Sequence, residues 1–193
     1  MYHPYRRLLL ASASPRRREL LTRAGYTFDT VPSGVDEQRL VGESPDTFVA
    51  RIAMAKATAV SSGLKDNRLV LAADTIVVVD GDVLGKPRDR DDAFSMLRRL
   101  SGRTHQVLTG VALVGGADRR TAVAATQVTL VDLDDCAIGA YVATGEPMDK
   151  AGAYGAQGIA SRFVDRIEGS YTNVVGLPLP VVERLIRELD HEV

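Results

Sequence analysis

The chain is poor in the residues that build disulfides and soft-metal cages. One cysteine, Cys136, among 193 residues excludes an intrachain disulfide. Three scattered histidines, His3, His105 and His191, have no zinc-type spacing, so a metal, if the protein uses one, must be held by oxygens. Charge of one sign is missing too: 24 Lys and Arg against 25 Asp and Glu leave a formal net charge of -1. Nothing in the bulk draws such a chain to nucleic acid or to an anionic membrane, and anion affinity must come from local clusters. No apolar run reaches membrane-spanning length and the start, MYHPYRR, lacks a signal-peptide pattern, which makes the cytoplasm the expected compartment. There is neither an internal repeat nor a low-complexity linker. What remains is ordinary globular composition, 45% hydrophobic and 25% charged, enough for one large domain or two small lobes around a real core. No boundary is marked, so residues 1–193 are read as a single domain.

The pattern centres on Leu71 to Pro87, LAADTIVVVDGDVLGKP. Asp74 and Thr75 interrupt a run otherwise fit for burial on both faces, Leu69 to Ala73 before them and Ile76 to Val79 after. A carboxylate buried there alone is so unfavourable that it must find cations, hydrogen-bond donors or a wet cleft, or take up a proton. Asp80-Gly81 between two apolar runs is a strong two-residue hairpin signal. Register counting pairs Val79 with Asp82 and Thr75 with Lys86; a joint site of Asp74 and Lys86 then needs a bulge, for which Gly85 is the natural place. On the hairpin alone, a structural Asp–Lys pair near a strand end accounts for these residues as well as a catalytic pair does.

Upstream, Arg7 to Ala13 reads as a short buried strand running into Ser12-Ala13-Ser14-Pro15-Arg16-Arg17-Arg18. Ser14 is a good N-cap, Pro15 a good first helical residue and Gly25 a stop. The three arginines stand at the wrong end of the helix dipole, where each costs about 0.3 to 1 kcal/mol when exposed. Local rules tend to be broken where function needs it. An anion bound at the free N–H groups of this turn converts the repulsion into attraction, the usual arrangement for phosphate at a strand-to-helix junction. A solvated basic patch is the plainer account of a charge run; the Ser-x-Ser-Pro-Arg-Arg entry favours phosphate.

Tyr26 to Pro32 reads as a strand, followed by a polar loop in which Asp36 and Glu37 are solvated acids or, alternatively, metal ligands. Ser44-Pro45-Asp46 starts a helix to about Ser62 with Phe48, Val49, Ile52, Ala55 and Ala59 on one face. Lys56 falls beside that face, which suits a snorkelling lysine or one reaching into a cleft. Asp89 to Leu100 is a second amphipathic helix, packing through Ala93, Met96, Leu97 and Leu100. Thr104 to Val114 and Thr121 to Leu133 read as an antiparallel pair about a turn at Gly115 to Asp118. Thr104 and His105 could contact substrate, though a single His beside a strand is more often a hydrogen-bonded packing residue. Asp134 to Ala143 reads as a helix with Cys136 and Tyr141 as packing residues. Gly145 to Gly158 carries too many glycines and prolines for a regular element and predicts a shaped loop. There the amide of Gln157 suits the edge of a planar base and Lys150 suits a phosphate, a surface connector being the plain alternative. Asp165 to Tyr171 reads as a short strand and turn, and Pro178 to Leu189 as a closing helix.

In order along the chain, Ser12-x-Ser-Pro-Arg-Arg, Ala73-Asp-Thr-Ile-Val, Gly85-Lys-Pro, Ser101-Gly-x-Thr-His, Gly145-Glu-Pro-x-Asp-Lys-Ala-Gly-x-Tyr-Gly-x-Gln-Gly and Gly169-Ser-Tyr-x-Asn-Val-Val-Gly-Leu-Pro resemble the Maf family of nucleoside triphosphate pyrophosphatases. The likeness runs from about Leu8 to Pro180; each motif alone is modest, and their ordered combination is specific. It implies an elongated α/β fold related to the inosine triphosphatase type, a mixed sheet with flanking helices in two lobes about a central cleft. It also implies divalent-metal-dependent cleavage of the α–β phosphoanhydride, with Mg2+, Mn2+ or Co2+, and a homodimer. By the same resemblance Asp74 is the proton acceptor, and Arg16, Thr75 and Gln157 stand where the family selects its base. Ser12, Arg17, Glu37, Lys56 and Lys86 match its cleft residues. The late loop is similar to the branch that prefers dTTP and UTP. Gly85 departs from members that carry a carboxylate there, which bears on the number of metal ligands; Glu37 and Asp74 are the expected pair. Mg2+ takes one or two carboxylates plus substrate phosphates and waters, which suits a chain without a His/Cys cage. Phosphoryl transfer needs mostly positioning and charge neutralisation, which Arg16, Arg17, Lys56 and Lys86 can supply.

Three rivals stand beside this reading. A non-catalytic regulator of cell division, a role associated with the family name, is disfavoured by charges that converge on anion-binding junctions. A P-loop at Gly81 to Lys86 is one residue short, and Pro87 replaces its Ser/Thr. A phosphatase using Asp80 as nucleophile is disfavoured because Asp80-Gly81-Asp82 is better explained as a turn.

Overall fold

A computed structural model describes residues 8–66 and 68–190; the expectations placed on Arg7, His3 and His191 lie outside them. The elements are β1 (Leu8–Leu10), α1 (Pro15–Arg23), β2 (Phe28–Thr30), α2 (Pro45–Ser61), β3 (Leu69–Val79), β4 (Asp82–Leu84), α3 (Arg90–Leu100), β5 (Thr104–Gly115), β6 (Asp118–Leu130), α4 (Asp135–Ala143), β7 (Val164–Glu168), α5 (Tyr171–Val175) and α6 (Leu179–Asp190). Three short 3-10 turns, Glu146–Asp149, Ala151–Ala153 and Ile159–Phe163, fill the segment after α4. Among the described residues the strands form one seven-stranded sheet in the order β2-β1-β3-β5-β6-β7, with β4 paired to β3. β1 runs parallel to β2 and β3, while β4 and β7 pair antiparallel with β3 and β6. The fold is the expected mixed α/β type.

The chain divides into two compact units. The first takes the chain up to Asp74, Thr109–Ala124 and the chain from Gly176; the second takes Thr75–Leu108 and Ala125–Val175. Each has its own core. In the first, Leu9, Val70, Ala72 and Ala112 of the strands pack with Ala53, Ala57 and Val60 of α2. The near-continuous apolar runs of β1 and β3 are what a parallel ladder covered on both faces requires. In the second, Ala93, Leu97 and Leu100 of α3 pack with Ile138, Tyr141 and Val142 of α4, Val128 and Leu130 of β6, and Phe163.

Local signals set most boundaries. Ser14, Ser44, Asp89 and Asp134 cap the four helices they precede, each side chain accepting a backbone N–H three residues on. Asp80 and Gly81 both take positive φ, and the hairpin pairs Val79 with Asp82 as the register count requires. The ladder ends at Val77 with Leu84. Gly85 turns its carbonyl to the N–H of Gly152 at 3.0 Å instead, so the expected pairing of Thr75 with Lys86 does not form. Two side-chain expectations also change. The buried stripe of α2 is Phe48, Val49, Ile52, Ala53, Lys56, Ala57 and Val60, because the i, i+3, i+4 progression from Val49 runs through Lys56 and leaves Ala59 exposed. Cys136 is exposed, since α4 buries the face of Ile138, Tyr141 and Val142.

Candidate active site

The interrupting carboxylate of β3 is buried, and its cation comes from α2. Lys56 Nζ stands 2.7 Å from Asp74 Oδ1 and 2.6 Å from Glu37 Oε1. The side chains of Lys56 and Asp74 are 8% and 7% exposed, that of Glu37 47%, so two groups are withdrawn from water and the third lies at the rim. Lys56 sits in the buried stripe of α2 at the end of a stem long enough to reach the strand. Pairing makes the buried carboxylate tolerable; removing one partner would leave an uncompensated charge.

The same unit supplies the arginines. Ser12 Oγ accepts the backbone N–H of Ser14 at 3.1 Å and Arg17 Nη1 at 3.3 Å. Arg17 Nε donates to the carbonyl of Gly176 at 2.8 Å. The guanidinium is thereby folded back over the start of α1 and fixed in direction. Burial draws Arg17 below its ordinary value, the carboxylates of Asp74 and Glu37 pull it up again, and Arg16 pushes it down. Arg17, Arg16, Asp74 and Glu37 therefore share one electrostatic neighbourhood, at a helix N-terminus suited to an anion.

Glu37 lies in the irregular segment between β2 and α2, and that segment is fastened to α2. Arg51 donates to the carbonyl of Gln38 at 2.9 Å and to both oxygens of Glu43, at 2.6 and 2.8 Å. The hydrogen bond from Arg51 holds the Glu43 carboxyl down to about 2. Arg51, Glu43 and the Gly176 carbonyl were not singled out in the sequence. A bidentate Arg–Glu pair eight residues apart is a weak signal, and a backbone carbonyl 159 residues from its donor leaves none.

The remaining expected site residues belong to the second unit. Thr75 is half-buried on β3, on the strand face opposite that of Asp74. Lys86 is exposed just past β4. Gln157 is half-buried between Gly155 and Gly158. Lys150, expected as a phosphate ligand, places its ammonium on the carbonyl of Glu146 and 2.8 Å from Asp149 Oδ1, with 12% of its side chain exposed. His105 is buried, its Nε2 2.6 Å from the Tyr154 hydroxyl, and Thr104 Oγ1 meets Thr129 Oγ1 at 2.8 Å. The His105 contact is buried packing, whereas the Thr104 hydroxyl pair is exposed.

Among the described residues no group of three or more His, Cys, Asp or Glu converges as a metal cage. Glu37 and Asp74 do converge on one ammonium, so the point between them accepts positive charge. Carboxylates are the donor type that Mg2+ takes alongside phosphates and waters, so Glu37 and Asp74 fit such an ion in donor chemistry, with the Lys56 ammonium standing between them.

A family model described as Maf-like protein matches residues 7–189. A dTTP/UTP pyrophosphatase of Anaeromyxobacter dehalogenans (strain 2CP-C) is 51% identical over 185 residues, 94% of this chain and 93% of that one. A dTTP/UTP pyrophosphatase of Escherichia coli O157:H7 is 51% identical over 172 residues, 89% of this chain and 87% of that one. The solved structure of the Staphylococcus aureus Ham1 protein aligns with a TM-score of 0.47 at 15% identity, over 66% of this chain and 73% of that one.

Proposed function

The chain belongs to the Maf family, and from that premise we propose that it is a nucleoside triphosphate pyrophosphatase, hydrolysing dTTP and UTP to the monophosphate and pyrophosphate. The observation that carries the proposal is the buried Asp74 held by Lys56, whose ammonium also meets Glu37. Lys56 engages Oδ1 of Asp74, which leaves Oδ2 to accept the proton of the attacking water. As that proton moves to Asp74, the water oxygen bonds to phosphorus, the α–β bridge breaks and pyrophosphate departs. A base so placed contributes about 100- to 10,000-fold.

Arg16, Arg17 and the hydroxyl of Ser12 bind phosphate oxygens at the start of α1, where N–H groups and cations act together. By the family's pattern, Lys86 would join in holding the triphosphate, and Arg16, Thr75 and Gln157 are the residues assigned to base selection. Glu37 and Asp74 would hold the divalent cation, Mg2+, Mn2+ or Co2+, whose chemistry when bound is neutralisation of phosphate charge. The family model runs through both units, which supports one functional domain over residues 1–193. Among the described residues no helix is long and apolar enough to cross a membrane. The cytoplasm and a homodimer are the family's expectations, to be checked by fractionation and by sedimentation.

The deciding experiment is a nucleotide panel with each of the three metals, with products resolved. Monophosphate and pyrophosphate from dTTP and UTP are expected. Release of inorganic phosphate as the first product, or no turnover of any nucleotide, would overturn the proposal.

A further inference from the structure

The segment that carries Gln157 is held by two side chains, one at the start of a short turn, Glu146–Asp149, and one just after it. Glu146 opens that turn; its carboxylate accepts the N–H of Ile159 at 3.1 Å, the N–H of Ala160 at 3.5 Å and the hydroxyl of Tyr141 at 3.2 Å. Gly158 takes φ +78, and a Cβ there would stand 2.9 Å from Glu146 Oε1, so the chain closes on the carboxylate as only glycine permits. Four residues after Glu146, the stem of Lys150 runs under Gly155, where a Cβ would lie 2.9 Å from both Cδ and Cε. Its ammonium is anchored on the Glu146 carbonyl and Asp149. Both shoulders of Gln157 are thus fixed, one by Glu146 and the other by Lys150.

A glutamine amide needs such fixing if it is to choose among pyrimidines. The edge of uracil or thymine offers a 4-keto acceptor beside the N3–H donor, and cytosine offers a 4-amino donor beside an N3 acceptor. An amide carries one donor and one acceptor end, so turning it over exchanges one match for the other. Selectivity then depends on where the backbone places the residue as well as on which way the amide is turned. We propose that Glu146 and Lys150 are positioning residues for base selection, clamping Gly155–Gly158 from both sides so that Gln157 is presented to a 4-keto pyrimidine from one fixed backbone position. The inference rests on the reading of Gln157 as the base contact, and it assigns Lys150 to the clamp in place of the phosphate.

The test is the ratio of kcat/KM for UTP to that for CTP. Glu146→Ala lowers this ratio by about tenfold or more, the scale on which a misplaced polar contact loses discrimination, with pyrophosphate still the product. Glu146→Gln, which keeps size and one acceptor, and Tyr141→Phe, which keeps the ring and releases the carboxylate, shift it in the same direction by less. They serve if the alanine variant does not fold. In a Gln157→Ala background Glu146→Ala has no further effect on the ratio. An equal effect in both backgrounds overturns the clamp, and so does an unchanged ratio in Glu146→Ala and Tyr141→Phe when Gln157→Ala alone collapses it. A ratio unmoved by Gln157→Ala overturns the underlying reading of the base contact. Lys150→Met keeps the stem and lowers the ratio modestly; an equal rise in KM for UTP and CTP with no change in ratio would return Lys150 to the phosphate.

Discussion

In the first unit Lys56 and Asp74 project from α2 and β3, regular elements whose backbone ladders hold both side chains, buried, 2.7 Å apart. In the second, Gln157 stands in an irregular segment steadied by one half-buried carboxylate and one lysine stem. The two arrangements suit different tasks. A group that must take a proton needs a fixed position and a fixed electrostatic surround, and buried ionic pairs on regular elements supply both at the risk of a large penalty when broken. A group that selects among similar bases needs a contact that small changes can retune, and a clamped loop supplies that. Substitutions in the first unit should abolish chemistry or stability, and those in the second should change choice.

The largest effect falls on Asp74. Asp74→Asn keeps the shape and removes the proposed proton acceptor, so turnover of UTP is expected to drop by about 100- to 10,000-fold while urea denaturation remains cooperative. Turnover like the wild type would break the contrast at its strongest point. Next comes Lys56→Met, which leaves Asp74 buried and unpaired and destabilises by about 3 to 5 kcal/mol, measured from the urea midpoint. Adding Asp74→Asn to Lys56→Met restores part of that loss, because the stranded charge is gone; a strictly additive double variant would mean that the two residues do not act as a pair.

Where physical signals were local, the sequence was readable. Ser14-Pro15 announced a helix start, and Asp80-Gly81 announced both the hairpin and its register as far as Leu84. Asp74 was recognisable as a carboxylate in need of a cation for the same reason, since its neighbours are apolar. Its partner was less readable. Lys86 lay nearer on the hairpin count, but the ladder stops when Gly85 gives its carbonyl to Gly152, whereas Lys56, on a separate helix, meets the strand through packing alone. Lys150 shows a related gap: a lysine in a glycine-rich loop suggests an anion, and nothing in the spacing reveals that the ammonium meets the Glu146 carbonyl and Asp149 of its own loop. Contacts that depend on where a chain departs from regularity are written in tertiary geometry, beyond the reach of periodicity.

A milder probe of the second unit is pH. His105 is buried against Tyr154, and burial lowers its pKa from 6.5 to about 4. In the unfolded chain the imidazole regains its ordinary value, so between pH 6.5 and 4 the unfolded state binds more protons and stability falls as the pH is lowered. The full shift corresponds to about 3 kcal/mol. His105→Gln should flatten urea midpoints across that window; an equally steep fall in the variant would assign the acid sensitivity elsewhere.

The smallest effect separates function from stability within one helical turn. Arg16, Arg17 and Arg18 all stand at the positive end of the α1 dipole, but Arg17 is tied to Ser12 and Gly176 whereas Arg18 is exposed. Removing a cation from that end relieves repulsion worth about 0.3 to 1 kcal/mol. Arg18→Gln therefore raises the urea midpoint slightly and leaves kcat/KM for UTP unchanged. Arg17→Gln forfeits the bond to Gly176 and the charge beside Asp74, and lowers kcat/KM. If Arg18→Gln instead weakened turnover as much as Arg17→Gln, the arginines would be acting as an undifferentiated basic patch, and the distinction between a built site and a merely charged surface would be lost.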